Sequence, residues 1–416
     1  MGFRIWDLVM NIGGKMKKFI GFDESLKILK SAFDEEVGCE QLFLNETLGR
    51  VLGEDIVAND NSPEYETSGM DGYAIRYEDQ KKGRIKIADK LPAGTANTIE
   101  VTEGTCIKTF TGSLISKGAD TLIPIENVEV DGDFIIIKEE VPKGFSIRPV
   151  GENYKKGEIL IKKGTLIGYA EIGVMAGLNK VKVAVKREPV VSVLATGSEI
   201  LELGEIRANI SQIRSTNHYT IEAIAKKAGA KTCNMGIVGD DLDSIKKAIL
   251  NALEFSDIVI TTGGVSVGDY DFVKEAVDSI EAKVLISGVV IKPGMHIKVV
   301  KVGKKYIFAL PGFPYSSAVT THLYITPLIK RMLGLDDRYD VVYAKMSEDY
   351  KKRSKKSEFT AVNLRYDKDG YKVDLKGKKS GTSAILTNML NNAALLWIDE
   401  SEGSLKKGDI ARVIRV

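Results

Sequence analysis

Cysteine, histidine and glutamine are scarce in this 416-residue chain: three Cys, three His, and Gln only at positions 41, 80 and 212. Cys39, Cys106 and Cys233 are scattered and none forms a Cys-x-x-Cys pair, so no disulfide framework is expected and a reducing cytoplasm is the natural compartment. His218, His296 and His322 give a histidine-rich metal centre or a Ser-His-Asp triad little to work with. Few glutamines beside plentiful Lys and Glu lean towards a heat-adapted source. No stretch approaches the roughly 20 apolar residues that span a bilayer, so no membrane partner is expected. Near the start, Arg4 and Asp7 break up Phe3, Ile5, Trp6, Leu8 and Val9, and no small-residue cleavage site follows, which makes a poor signal peptide. Charge of one sign is missing too. With 59 Lys plus Arg against 57 Asp plus Glu, the net +2 makes no electrostatic case for nucleic acid.

What is present is ample chain for buried cores, enough for about two to four domains. Phe22, Leu26, Leu29, Ala32 and Phe33 recur at helical spacing, which predicts one amphipathic helix over Gly21 to Phe33. Residues 84 to 145 are short β-branched runs broken by Gly, the rhythm of a small β-rich unit, with Asp131-Gly132-Asp133 as a hairpin turn. A helix is predicted near Tyr169 to Gly177. After Pro189 the pattern changes to strands near 190–195, 234–238, 257–262, 297–302 and 306–310. Helices near 217–227, 242–253 and 270–279 alternate with them, and a long helix follows Pro311-Gly312. That alternation predicts a doubly wound, mostly parallel α/β sheet. Beyond Gly334, short strands near 341–344, 371–375, 394–398 and 410–416 predict a separate C-terminal β-domain. The basic run Lys351 to Lys356 reads as a flexible charged loop or as an anion or nucleic-acid site.

In such a sheet, ligands bind outside the carboxyl ends of the strands. Four loops leave those ends: Thr196-Gly197-Ser198-Glu199, the Asp240-Asp241 turn, Gly263 to Asp271, and Leu310-Pro311-Gly312. The glycines of Gly263-Gly264 let backbone approach a ligand closely, and the following helix start suits phosphate. The run is neither G-x-G-x-x-G nor a P-loop, and a tight packing turn is the plainer alternative. Asp240, Asp241, Asp269 and Asp271 would repel an anion unless a divalent cation such as Mg²⁺ lay between; the same acids also suit helix N-caps. Lys292-Pro293-Gly294 could place a cation at this edge or carry only a solvated charge. Asp71, in Met70-Asp71-Gly72-Tyr73, reads as a turn residue.

Taken in order, these strings resemble the molybdopterin molybdenumtransferases, the MoeA family, from about Phe19 to Val416. Ser68-Gly69-Met70-Asp71-Gly72-Tyr73-Ala74-Ile75-Arg76 is similar to the family's S-x-M-D-G-Y-A-x-R. Thr111-Gly112-Ser113 through Gly118-Ala119-Asp120-Thr121 is similar to its T-G-A-x-x-P-x-G-A-D, and Arg148 to Asn153 to its R-x-x-G-E-D. Gly263 to Asp271 matches G-G-V-S-V-G-D-x-D, and Leu310 to Pro314 resembles L-P-G-N-P. Departures are Met295 for a lysine in K-P-G-K-P, Phe313 for Asn, and Ser198 for Asp in T-G-D-E.

The resemblance implies a multidomain α/β protomer. Residues 17–48 and 146–186 would form an elongated linker domain, 49–145 a β-rich insert, 187–334 a MogA-like α/β domain and 335–416 a β-barrel. It implies a cytoplasmic homodimer that inserts molybdate or tungstate into adenylylated molybdopterin with Mg²⁺-dependent release of AMP, with the adenylyltransferase acting upstream as a partner. Asp71, Thr111, Glu199, Asp240 and Asp271 would be catalytic, with Asp240 and Asp271 on the metal. Gly263, Gly264, Ser266, Gly268, Lys292, Pro311, Gly312, Pro314, Ser316 and Ser380 would bind substrate. The alternatives are an adenylyltransferase of the same α/β fold and a non-catalytic dimeric scaffold.

Overall fold

The apolar runs after Pro189 are buried on both faces, as strands between two helical layers must be. In the computed structural model, which describes residues 19–96, 99–264, 272–379, 383–391 and 393–416, they form a sheet ordered Lys231–Val238, Val190–Thr196, Ile258–Thr262, Lys305–Leu310, Lys298–Val302, Lys283–Ile286. The first four strands are parallel, and the last two join antiparallel at one edge. The edge strand Lys283–Ile286 is too short to stand out in the sequence. Side chains alternate between two cores. Val191, Val193, Ile258, Ile260 and Phe308 pack with Ile221 and Ala225 of helix Asn217–Lys227 and with the 314–332 segment. Leu194, Val259, Ile307 and Ala309 pack with Ile245, Ile249 and Val273 of helices Leu242–Phe255 and Phe272–Asp278. The doubly wound expectation holds.

The chain divides into two compact units. The larger takes its described residues from Met1–Glu40, Gly49–Val51 and Val185–Val416. It holds the α/β sheet and, among the described residues, a closed barrel of Val341–Met346, Ser357–Asp367, Gly370–Asp374, Ala393–Ile398 and Ile410–Arg415. Pairing of Ser357–Asp367 with Ala393–Ile398 closes the ring. The eleven-residue strand Ser357–Asp367 is absent from the sequence reading because its polar residues follow directly on the basic run. One continuous core joins sheet and barrel: Phe22 of helix Phe22–Ala32 lies 4.9 Å from Phe359 and 5.7 Å from Trp397, ring centroid to centroid.

The smaller unit comprises Gln41–Leu48 and Leu52–Ala184. Its sheet runs Thr121–Pro124, Gly72–Ile75, Thr105–Thr109, Ile85–Leu91, Phe134–Ile137, Val128–Asp131, around Tyr73, Ile75, Ile85, Cys106 and Ile135. The last two strands pair antiparallel from Asp131↔Phe134, with Gly132 at φ +60° in the turn, as the hairpin reading requires. Helix Tyr169–Gly177 forms where the pattern places it. Among the described residues no helix is long and apolar enough to cross a membrane.

The long helix expected after Gly312 is interrupted. Helix Pro314–Thr320 widens into a π turn over Thr321–Ile325 before helix Thr326–Met332. Pro327 explains the break, since it has no N–H for the Leu323 carbonyl four residues back. The Tyr339 hydroxyl donates to that carbonyl at 2.6 Å. Tyr339→Phe is expected to cost about 1 kcal/mol. The check is a lower urea midpoint with an unchanged m-value.

Candidate functional site at the carboxyl edge of the sheet

The parallel register brings four loops to one rim. Thr196 pairs with Val238, Ala195 with Thr262, and Thr262 with Leu310, so residues 197–199, 239–241, 263–264 and 311–312 leave the sheet side by side. The chain steps from Val190–Thr196 outward to Lys231–Val238 and then back across to Ile258–Thr262. The strand order therefore reverses at Val190–Thr196, where an open α/β sheet presents its ligand crevice.

Gly263 has φ +100°, and a Cβ there would lie 2.6 Å from the Thr196 carbonyl oxygen; Gly264 has φ +58° with Val273 behind it. Both are needed for this backbone, and Gly312 lies against Gly263. Ser317 Oγ donates to the carbonyls of Pro311 (2.5 Å) and Phe313 (3.1 Å), which shapes the turn into Pro314. Ser316 is buried, and its N–H donates to the Ser383 carbonyl at 3.2 Å. Asn217, which the sequence reading did not single out, donates through Nδ2 to the Gly312 carbonyl at 2.9 Å. Its Oδ1 is buried with no partner among the described residues. Standing first in its helix, it looks in sequence like an ordinary capping residue.

The structure separates the acids that composition could not. Asp241 is the N-cap of helix Leu242–Phe255 and accepts from Ser244 N at 2.8 Å, which holds its carboxyl below the usual range. Asp240 does no capping. Its Oδ2 accepts from both the N–H and the Oγ of Ser198, each at 3.0 Å, across the rim. Glu199 is next in the same loop, its carboxylate folded back towards Gly197. Ser266, Gly268, Asp271 and Ser380 lie outside the described residues. Among the described residues no three His, Cys, Asp or Glu side chains gather as a metal-ligand group. Asp240 and Glu199 do present exposed carboxylate oxygens. That hard donor set fits Mg²⁺ when substrate phosphates supply the remaining ligands.

In the smaller unit Asp71 and Thr111, 40 residues apart, meet. Asp71 Oδ1 accepts from Thr111 N at 2.8 Å and from Thr111 Oγ1 at 2.9 Å. The next residue must be Gly, because a Cβ on Gly72 would overlap the Ile123 carbonyl. The two Thr111 hydrogen bonds, backbone first, pull the Asp71 carboxyl below its ordinary value, helped by the charge of Lys108. Asp71 is thus held as a carboxylate, suited to stabilising charge or ligating a cation and not to donating a proton.

Lys292 stands at the end of the two-residue strand Ile291–Lys292, which pairs parallel with Ser357–Glu358. Its Nζ lies 3.6 Å from Glu358 Oε1. Burial lowers His218 and pushes His322 down to about 4, so both rings are uncharged at neutral pH. Burial also pushes the Cys106 thiol up to about 12.

Solved structures of molybdopterin biosynthesis proteins share this construction of a closed barrel and a doubly wound sheet. Residues 20–178 match the family model "MoeA N-terminal region (domain I and II)", and 192–331 match "Probable molybdopterin binding domain". The molybdopterin molybdenumtransferase of Staphylococcus aureus is 33% identical over 81% of this chain and 82% of its own length. That of Staphylococcus epidermidis is 33% identical over 89% and 90%. A crystal structure of the molybdopterin biosynthesis MoeA protein of Pyrococcus horikoshii superposes with a TM-score of 0.82 at 26% identity, over 95% of this chain and 99% of that one. The chain belongs to the molybdopterin molybdenumtransferase (MoeA) family, whose work is molybdenum cofactor biosynthesis.

Two measurements test this geometry. Gly263→Ala should destabilise the protein by about 1–3 kcal/mol. Gly132→Ala, whose Cβ meets nothing within 4 Å, should cost less; equal losses in thermal unfolding would count against the packing argument. Thr111→Val removes one of two donors to the Asp71 carboxylate, so the carboxyl should titrate at higher pH. Carbon NMR of the Asp71 carboxyl reads this directly, and a fall or no change would contradict it.

Proposed function

We propose that this protein inserts molybdate or tungstate into adenylylated molybdopterin and releases AMP. The observation that carries the reading is the Ser198–Asp240 pairing beside the Gly263-Gly264 turn, an ionisable oxygen donor set where backbone can approach a phosphoanhydride. Gly263, Gly264, Ser266 and Gly268 would cradle the pyrophosphate, with Pro311, Gly312 and Pro314 shaping the neighbouring wall. Asp240 would hold Mg²⁺ together with Asp271, and Glu199 would orient the water or the oxyanion. When bound, the ion offsets negative charge as the phosphoanhydride is cleaved. Lys292, with Ser316 and Ser380, would attract the oxyanion. Positioning and electrostatics would supply most of the rate, since no covalent intermediate on the protein is required.

Asp71 and Thr111 belong to the same reading as residues that a homodimer contributes from the partner protomer, within the four-part division 17–48 with 146–186, 49–145, 187–334 and 335–416. The compartment would be the cytoplasm, with the upstream adenylyltransferase as supplier of the substrate.

Purified protein given adenylylated molybdopterin, Mg²⁺ and either oxyanion should release AMP. AMP release that needs no oxyanion, or ATP-dependent adenylylation of molybdopterin, would instead support an adenylyltransferase, and a dimer inert in both assays a scaffold. Asp71→Asn removes a charge that Thr111 keeps ionised. It should lower AMP release by about a hundredfold, the scale of a lost electrostatic contact in an active site, with dimer mass unchanged by light scattering.

A further inference from the structure

In the basic run Lys351 to Lys356, Lys351, Arg353 and Lys355 are exposed, whereas Lys352, Ser354 and Lys356 are half-buried and hydrogen-bonded. Lys352 Nζ donates to the carbonyls of Asp399, Glu400 and Glu402, and its N–H donates to Ser404 Oγ. Two members of the run, with Tyr350 just before it, bond one carboxylate. Glu358, only 2% exposed, accepts from Arg353 N (3.1 Å) and Ser354 Oγ (2.8 Å) at Oε1, and from the Tyr350 hydroxyl (2.9 Å) at Oε2. The same Oε1 faces Lys292 Nζ at 3.6 Å, and the Lys292 side chain remains 41% exposed. A buried carboxylate is costly unless its lone pairs are satisfied, and here donors from residues 350–354 satisfy them while Lys292 adds an opposite charge.

A second cation stands at the same turn. Lys356 Nζ lies 2.8 Å from the sulfur of Met295, three residues after Lys292. A thioether is a weak, uncharged acceptor, so it leaves that ammonium's charge uncompensated. Among the described residues no carboxylate forms an ion pair with Lys356. The Lys356 N–H in turn leans on Ser354 Oγ at 3.3 Å, which ties its position to Glu358. The turn is itself wedged in place, since a Cβ on Gly294 would overlap Thr320 of helix Pro314–Thr320. Two ammonium groups thus border residues 292–295 with one carboxylate behind them, leaving an excess of positive charge.

We infer that Glu358 is a positioning residue for the oxyanion: it aims Lys292 directly and Lys356 through Ser354. The inference rests on the proposed role of Lys292 in attracting molybdate or tungstate. Electrostatics alone would disfavour a carboxylate beside an anion site, so the sign of the effect is diagnostic. Removing the charge should tighten oxyanion binding if Glu358 merely neutralises, and weaken it if Glu358 positions the lysines.

The experiment is calorimetric titration of the full-length protein with sodium molybdate and with sodium tungstate. Glu358→Gln should weaken binding about tenfold despite removing a negative charge, and Lys292→Met should weaken it further. In the Lys292→Met background, adding Glu358→Gln should change affinity only about two- to threefold, the part that acts through Ser354 and Lys356, because the direct contact is already gone; full additivity would mean a general structural effect and would overturn the inference. Ser354→Ala, a milder change, should weaken binding about two- to threefold, and it decides the matter if Glu358→Gln does not fold. Binding by Glu358→Gln as tight as or tighter than wild type would overturn the inference alone. Wild-type binding by Lys292→Met would overturn the role of Lys292, and the inference with it.

Discussion

The Tyr315 hydroxyl donates to the Phe359 carbonyl at 3.0 Å and accepts from Ala361 N at 2.8 Å, within the core of the larger unit. It thereby fixes helix Pro314–Thr320 to the barrel strand Ser357–Asp367. Burial raises the Tyr315 phenol, so it stays a neutral donor and acceptor across the physiological range. Most of the rim depends on that attachment. The helix shapes the Pro311–Phe313 turn through Ser317, packs on the Gly294 turn through Thr320, and meets the 383 loop through Ser316 N. The strand carries Glu358, which faces Lys292. A hydrogen-bond pair buried away from water is costly to break and tolerates little misplacement, so it serves as a geometric reference for side chains from distant segments.

The second constraint is the parallel register. Because the paired strand ends stop level with one another, four loops reach one edge without any special sequence in the loops themselves. Their chemistry then depends on small differences. Asp240 and Asp241 are adjacent and chemically alike, yet one satisfies a helix terminus and the other takes two hydrogen bonds from the loop across the crevice. In the smaller unit a comparable economy operates: Thr111 supplies both donors that keep Asp71 charged. In each case a hydroxyl and a backbone N–H from one residue fix the orientation of the carboxylate.

Much of this was legible in the residues. The continuous apolar run Val190 to Ala195 and the alternation of strands with helices after Pro189 were enough for a sheet buried on both faces. The strings around Asp71, Thr111 and Gly263 pointed to the MoeA family before any coordinate. Less legible were elements whose signal depends on distant partners. Ser357–Asp367 mixes polar and apolar residues, with Ser357 and Glu358 buried at one end and Arg365 to Asp367 exposed at the other, so its strand pattern is blurred. The 314–332 segment reads as one helix because a π turn has no local signature beyond Pro327.

By itself the sequence determined the layer architecture, the family and the identities of the polar groups at the rim, because hydrophobic period and short-range turn chemistry are local properties. Only the tertiary structure decided which of two neighbouring aspartates caps a helix, that Asp71 and Thr111 share hydrogen bonds, and that Arg353 N and Ser354 Oγ of the basic run bond a buried glutamate. Those outcomes depend on which segments are brought within hydrogen-bonding distance. Packing of the whole core sets that distance, and no window of sequence contains it.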